Sequence, residues 1–559
     1  MSRVQSKQVE VLVIGGGVTG AGLVRDLALR GVSCLLVERR DFAAGASGGN
    51  HGLLHSGARY VCSDPGTASE CAQESEILKK LAPHCIDNTG GLFVAVPGDS
   101  ESYIAGFPKL CARAGVPFRE MDPAQARELE PALAREVMAA YEVKDDSVDP
   151  FMLTMDNAAQ AMSLGAEIMT HTQVESFVME EGAGGRIAAV ALRDQVSGDQ
   201  VMVEAGLVVN ATGAWAGLVA GLAGVKLHVL PSKGSLAVTQ ERLTHRVINR
   251  LRKAADSDIL VPGGSVSILG TTSLPLTHPD ECKPTVAEVD TMIEDASAVL
   301  PVLASTRYIR AFAGVRPLFG GNGDGNGGGN GEEKGRDITR GVALLDHADE
   351  GVENFITITG GKLTTYRLMA ENTADLICRK LGVNEPCRTR TEPLPQSEMG
   401  RWNEPKAAAR AWAKGTDGAG GPDDPVLCEC ELVPQSVVDR AHANAESPEG
   451  ERALNGISAR SRAGKGTCQG AFCSLRITAH LYGSGRLHGD QGLSGINSFI
   501  NRRWKGLRPV LWDTQLVQAE LQEAMHCGFM GLELEGPETS PETSDGTSDV
   551  KSDVKGGPK

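Results

Sequence analysis

The sequence predicts an α/β fold, with a Rossmann-like nucleotide-binding unit at its start and a small four-cysteine helical module near its end. Three observations predict it. A strand, a glycine-rich turn, a helix and a second strand ending in an acid run from Glu10 to Glu38. Short apolar runs then alternate with helical patterns as far as Leu381, the signature of strand–helix layering. Finally, Cys428-Glu-Cys430 and Cys468-Gln-Gly-Ala-Phe-Cys473 stand apart from this alternation.

Composition narrows the class. With 559 residues, 41% apolar and 23% charged, the chain can bury more than one core, which excludes disorder as a whole-chain description. A net charge of −16 disfavours nucleic acid as a partner. Thirteen cysteines are too few for a disulfide scaffold and point to a reducing, cytosol-facing compartment. The polar start Met1–Gln8 does not read as a signal peptide. Ala205–Val225 is uncharged and long enough to mimic a membrane span, but Asn210, Thr212 and its glycines favour strand, tight turn and helix. A soluble protein is expected, with peripheral membrane attachment still allowed.

In chain order, Glu10–Ile14 and Val32–Glu38 read as strands bracketing a helix over Ala21–Arg30, a βαβ unit. Further strands are expected at Gly91–Val96, Gly206–Asn210, Ser267–Gly270, Val342–Leu345 and Asn354–Ile358. Helical periodicity covers Ala68–Leu81, Pro150–Leu164, Val286–Val299 and Thr365–Leu381. The glycine-rich stretch 320–335 reads as a flexible insertion, about 396–425 as a linker, and the Pro/Ser/Thr/Asp-rich tail 535–559 as disordered. That leaves 426–530 as a separate cysteine-bearing module.

Gly15-Gly16-Gly17-Val18-Thr19-Gly20 follows the first strand and opens the helix. Gly15 and Gly17 permit a tight turn and close approach of a pyrophosphate, and Gly20 lets helix and strand pack closely. The helix N-terminus offers free N–H groups to the phosphates. Glu38, 23 residues after Gly15, is placed to accept from a ribose hydroxyl. The fingerprint alone does not separate NAD from FAD. The long small-residue segment Asp41–Tyr60, the strand and turn Val209–Trp215, and Gly360-Gly361-Lys362-Leu363-Thr364 before a helix favour a large flat ligand with several backbone contacts.

On these residues the chain resembles the FAD-dependent glycerol-3-phosphate dehydrogenases, of the glycine-oxidase/D-amino-acid-oxidase flavoprotein fold. Within that family it is most similar to the large catalytic chains of the anaerobic enzymes. The resemblance spans about 8–530 and is carried by His51–Tyr60, Asp256–Pro262, Gly314–Pro317 and Ile356–Arg367. It implies an FAD-binding part built from about 8–90, 145–225 and 340–385, within a flavin-dependent region 1–395. A discontinuous, mixed-sheet substrate domain is implied over 91–144 and 226–339. FAD contacts are expected at Gly15, Gly17, Gly20, Glu38 and Arg39, and at Ser47, Asn50 and His51. Later in the chain they are expected at Val174, Thr212, Gly213, Gly360, Gly361, Lys362 and Leu363. The insertion and the acidic tail depart from the family pattern.

Four thiols suit zinc or an iron–sulfur cluster, and a redox thiol set is the third possibility. One residue between Cys428 and Cys430 is short for a zinc knuckle. The Cys-x-Cys…Cys-x₄-Cys spacing resembles the [2Fe–2S] module of bacterioferritin-associated ferredoxin, which these catalytic chains carry at their C-terminus. Cys428, Cys430, Cys468 and Cys473 are therefore the expected ligands. Gly464, Gly466 and Gly470 leave backbone N–H groups free to approach the sulfurs.

A flavin takes two electrons at once and such a cluster passes one, so the pair suggests a dehydrogenase that exports electrons rather than an oxidase. Oxidising a secondary alcohol requires a base, hydride reach to the flavin and anchors for the rest of the substrate. For a phosphate ester the anchors should be cationic. The resemblance implies Arg59, Tyr60, Arg316 and Lys362 as substrate-binding positions, each with an ordinary structural contact as its alternative. His55 is the leading base candidate, His51 its substitute and a buried Lys362 the third. The implied reaction converts sn-glycerol 3-phosphate to dihydroxyacetone phosphate. Electrons would leave through two partner subunits of the same dehydrogenase, a second flavoprotein and an iron–sulfur membrane anchor, to quinone at the cytoplasmic face of the plasma membrane. The alternatives are an oxidase of a 2-hydroxy acid or amine and, from the cysteine module alone, a non-catalytic electron carrier. Phe499–Arg508 concentrates four cations with Trp504, as a docking patch or a solvated basic face.

Overall fold

The first strand shows how the sequence builds the core. In a computed structural model describing residues 5–180, 185–319, 342–399, 423–443, 453–528 and 530–532, Gln5–Ile14 is a strand whose last four residues are all buried. Side chains alternate across it: Val11 and Val13 face one core, Leu12 and Ile14 the other. Both faces being covered explains the unbroken apolar run. The parallel partners are Cys34–Val37 on one side and Gln200–Asn210 on the other.

The resulting sheet has eight strands. Its path runs Thr172–Met179, Ile187–Asp194, Gln200–Asn210, Gln5–Ile14, Cys34–Val37, Glu167–Met169. Phe355–Gly360 adds in parallel beside Val208–Asn210, and Val342–Asp346 pairs antiparallel with it. Helices Val18–Leu29, Pro150–Ser163 and Tyr366–Leu381 cover one face through Leu23, Leu27, Ala158, Met369, Ala374 and Ile377. The stretch that mimics a membrane span resolves as the strand Gln200–Asn210, a 3₁₀ turn at Gly213–Trp215 and the helix Ala216–Leu222. Among the described residues no helix is long and apolar enough to cross a membrane.

A second, nine-stranded mixed sheet is assembled from segments far apart in sequence. It runs Leu274–Pro275, Val229–Thr239, Val266–Gly270, Ile259–Gly263, Val247–Arg250, Gly91–Ala95, Ala139–Val143, Phe118–Met121, with Tyr308–Phe319 paired along Val229–Thr239. Its core joins Leu92, Val94, Ile248, Leu260 and Leu269 to Val289, Met292 and Leu303. A capping box at Thr285 and Glu288 starts helix Val286–Ala296.

Every strand and helix expected from the sequence is present, with ends displaced by a few residues. The insertion 320–335, most of the 396–425 stretch and the tail 535–559 lie outside the described residues. The chain divides into two units, Met1–Trp512 and Asp513–Lys559. The cysteine-bearing elements Val426–Cys428, Gln435–Ala443, Ala453–Ser461, Cys473–Gly483 and Gln491–Leu507 belong to the larger unit. The smaller is described by the helix Asp513–Glu523 and the turn after it.

Candidate active site

A cavity of about 1450 Å³ opens at the C-terminal ends of the parallel strands, between the two sheets. Ligands collect there in open α/β sheets. Gly15 and Gly17 line it, and their shape is enforced by neighbours. A Cβ on Gly15, whose φ is +116°, would stand 2.7 Å from the Ala211 carbonyl oxygen; on Gly20 it would stand 2.0 Å from that of Gly15. Gly20 does not line the cavity but allows the helix to approach the turn. The helix N-terminus carries no side-chain cap from Gly17. Instead the Val18 N–H donates to the Ser47 hydroxyl at 2.9 Å, which draws the small-residue segment over the phosphate-binding turn.

Glu38 closes the second strand. Its carboxylate accepts from the N–H of Gly16 at 2.7 Å and of Arg40 at 2.8 Å. Burial pushes its pKa up, while these two N–H donors and the neighbouring arginines resist the shift. Arg39 also lines the cavity, but its guanidinium is engaged by Asp280 at 2.6 Å and stacks 4.6 Å over Trp215. The Asn50 amide secures its own loop, donating to Ala46 and Ser47 and accepting from Gly52. Thr212 is held by Asn210 at 2.6 Å, and the Gly213 carbonyl accepts from Thr359. Gly360 and Gly361 take positive φ of 80° and 68° before Lys362 and Leu363. Val174 lines it as well, so every position expected to contact FAD except Gly20 lines one cavity.

The candidate chemical groups gather in the same space. The Tyr60 hydroxyl is 3.3 Å from His55 Nε2, the His51 ring lies edge-on to His55 at 6.3 Å, and Lys362 Nζ sits 4.3 Å from the Tyr60 ring centroid. The His55 backbone N–H donates to Thr364, tying the two segments together. Arg316 is aimed by the Thr271 hydroxyl and by the Thr272 carbonyl at 3.0 Å, across a strand pair where Gly234 leaves room for the guanidinium. Arg59 lines the cavity too, but it donates to buried Asp258 and to the Ala255 carbonyl, each at 2.9 Å. Its structural contact is thus satisfied within the fold. Sequence reasoning missed Thr271, Thr272 and Lys253 as lining residues. Asp258 lies inside the Asp256–Pro262 stretch already singled out, which was the available signal.

The four module cysteines are neighbours. The Cys473 thiol is within hydrogen-bonding reach of Cys428 and Cys468, and Cys468 of Cys430. The bond donated by Cys473, with the N–H groups of Gly470 and Phe472, lowers Cys468, whereas Cys473 is raised. The N–H groups of Gly464 and Glu431 act similarly on Cys428. A Cβ on Gly466 would stand 2.5 Å from that of Cys430. The sulfurs form a chain of pairwise contacts, and among the described residues no three metal-ligating side chains converge as for a single ion. Four soft donors with backbone N–H groups beside them are a donor set that suits an iron–sulfur cluster or a zinc ion.

A family profile described as "DAO: FAD dependent oxidoreductase" matches residues 10–376. The chain is 40% identical to the A subunit of the anaerobic glycerol-3-phosphate dehydrogenase of Escherichia coli K12, covering 95% of this chain and 98% of that one. The corresponding figures are 40%, 94% and 91% for the A1 subunit of the Haloferax volcanii enzyme. The chain belongs to the FAD-dependent oxidoreductases, among the anaerobic glycerol-3-phosphate dehydrogenase A subunits. Two solved structures share the fold. One is the glycerol-3-phosphate dehydrogenase of Bacillus halodurans complexed with FAD, with a TM-score of 0.63 at 21% identity over 91% of this chain and 97% of that one. The other is glycine oxidase of Geobacillus kaustophilus, with a TM-score of 0.54 at 19% identity over 70% and 99%. FAD is this family's cofactor, and the residues present fit it. The Gly15–Gly20 turn, the helix N-terminus and Glu38 suit the adenosine and pyrophosphate half. The cavity also exceeds the usual ~300–1,000 Å³ of small-ligand pockets, leaving room for dinucleotide and substrate together.

Proposed function

We propose that the chain oxidises sn-glycerol 3-phosphate to dihydroxyacetone phosphate. The observation that carries this is the convergence of Arg316 and Lys362 on the cavity that also holds His55 and Tyr60. A secondary alcohol loses a hydride from carbon and a proton from oxygen to become a ketone, and bound FAD supplies the two-electron acceptor for the hydride. His55 accepts the hydroxyl proton at Nε2, with Tyr60 fixing the ring that carries it. Arg316, aimed by Thr271 and Thr272, and Lys362, held over the Tyr60 ring, bind the phosphate dianion. Arg59 supports the wall of the cavity through Asp258. His51 lies edge-on beside the base rather than replacing it.

Cys428, Cys430, Cys468 and Cys473 ligate a [2Fe–2S] cluster in this reading, which supplies a one-electron relay. Electrons continue through a second flavoprotein and an iron–sulfur anchoring protein of the same dehydrogenase to quinone, with the chain peripheral at the cytoplasmic face of the membrane. The designation of the relatives as A subunits supports an assembly of several different chains. The test is substrate-dependent reduction of an artificial one-electron acceptor by the purified chain. Activity with glycerol 3-phosphate and little with glycerol or 2-hydroxy acids is expected; preference for a 2-hydroxy acid or amine, with peroxide release, overturns the reading.

A further inference from the structure

Helix Gln491–Leu507 turns one of its cations inward, so the Phe499–Arg508 patch is not uniformly a solvated basic face. Arg503 donates to the Ser458 hydroxyl at 2.9 Å and to the Gln469 side-chain carbonyl at 3.4 Å, and its guanidinium lies 5.0 Å over the Phe499 ring. Both Gln469 and Phe499 reach the thiol loop. Gln469 follows Cys468 directly and folds back on the carbonyls of Lys465 and Gly466. Phe499 is buried against Gly464 and Gly470, where a Cβ would come within 2.6 and 2.3 Å of the ring. Those are the glycines whose N–H groups serve Cys428 and Cys468.

The charge balance around Arg503 is one-sided. Its Nε is buried without a hydrogen-bond partner, as is that of Arg310. Among the described residues no carboxylate lies within ion-pairing distance of Arg503. Burial and the like charges of Arg310 and Arg502 act against its cation, while its contacts with Gln469 and Phe499 seat it against the loop that carries Cys468 and Cys473. A half-buried guanidinium with no carboxylate partner is costly unless another anion is placed beside it. The anions available are the thiolates themselves.

We propose that Arg503 is the counter-charge of the four-thiol site and raises the reduction potential of the iron–sulfur cluster bound there. The inference rests on the cluster assignment made above. Reduction adds one electron to the thiolate-bound cluster, with no bond made or broken, so a fixed cation favours the reduced form over the oxidised one. In the enzyme that electron comes from the flavin reduced by substrate. Arg503 thereby makes the site a better acceptor from within the same chain.

The experiment uses the full chain, reconstituted anaerobically with ferrous iron and sulfide. Iron and acid-labile sulfide are counted first, and then the potential is measured by dithionite titration followed by electron paramagnetic resonance. Arg503→Gln is expected to keep the cluster but make its reduction about tenfold less favourable, a shift of ~59 mV to lower potential. Arg503→Lys, which restores the charge, is expected to recover most of that shift. An unchanged potential in Arg503→Gln, or equal shifts in the Gln and Lys variants, overturns the proposal. If Arg503→Gln loses its cluster, the Lys variant decides: a retained cluster near the wild-type potential supports the counter-charge, and loss in both overturns it. Absence of iron and sulfide from the wild-type chain overturns the cluster assignment itself, and is told apart by failing before any variant is compared.

Discussion

The Tyr60 hydroxyl stands 3.3 Å from Nε2 of His55, although the two residues lie in different local structures, a 3₁₀ turn and the loop before it. The contact fixes the imidazole edge that faces the cavity, and Lys362 backs the phenol from its ring face. His55→Asn is expected to lower the rate of substrate-dependent flavin reduction by ~10²–10⁴-fold, the usual worth of a positioned base. Tyr60→Phe should cost roughly tenfold, consistent with the loss of one orienting hydrogen bond. Stopped-flow bleaching of the flavin measures both, and normal FAD content in each variant isolates the effect to chemistry.

Arg316 is held by two neutral oxygens from Thr271 and Thr272. A guanidinium so fixed is suited to a dianion, whose charge-assisted hydrogen bonds contribute about 1.5–3 kcal/mol. Arg316→Ala should therefore raise KM for glycerol 3-phosphate by roughly 10–100-fold while scarcely changing the weak reaction of glycerol. An equal effect on both substrates would remove Arg316 from the phosphate site.

The nucleotide turn leaves no room for a side chain. Gly20→Ala places a methyl 2.0 Å from the Gly15 carbonyl oxygen, inside any normal contact distance. The helix must move away from the turn, and the N–H groups aimed at the pyrophosphate move with it. The variant should purify with little or no FAD and show no flavin absorbance after incubation with the cofactor and removal of the unbound excess. A circular-dichroism spectrum like that of the wild type would confirm that the fold survives.

How much of this is legible in the sequence depends on the separation of the partners. The βαβ unit is readable because its strands, turn and acid lie within 29 residues and each has its own local signal, from Glu10 to Glu38. The second sheet is far less so. Val229–Thr239 and Tyr308–Phe319 are among its longest strands, yet Lys233, Arg310 and Arg316 interrupt their apolar pattern. Two of those polar positions are explained by partners elsewhere: Lys233 meets Glu288, and Arg316 meets Thr271 and Thr272. Arg59 is readable as a cation in a small-residue motif, but its pairing with Asp258 closes 199 positions and leaves no local trace. The inward turn of Arg503 is hidden for the same reason, since a cluster of cations on a helix gives no sign of which one is buried.

The cysteine-bearing helices are held to the nucleotide-binding part by another long-range pair. Arg460 on helix Ala453–Ser461 forms two hydrogen bonds with Asp41, at 2.7 and 2.9 Å. Burial alone would raise the Asp41 carboxyl, but Arg460 leads the contacts that more than offset it and hold the group below its ordinary value. A depressed folded-state pKa adds stability that is complete above the unfolded carboxylate value of ~3.9 and is lost as pH falls through the lower folded value. Asp41→Asn should thus lower stability at pH 7 by about 2 kcal/mol, with the difference from wild type closing as pH falls below the unfolded carboxylate value of ~3.9. Thermal-shift measurements across that range, in parallel on both proteins, check the sign.

The most direct test is an anaerobic titration of the FAD-loaded chain with glycerol 3-phosphate, followed by visible absorbance. The expected result is loss of the oxidised flavin band with iron–sulfur absorbance declining after it, the three electrons taken up by the two centres being supplied by about one and a half equivalents of substrate when no external acceptor is present. A flavin that is fully bound yet keeps its oxidised spectrum in excess glycerol 3-phosphate would contradict the assignment of this cavity to that alcohol.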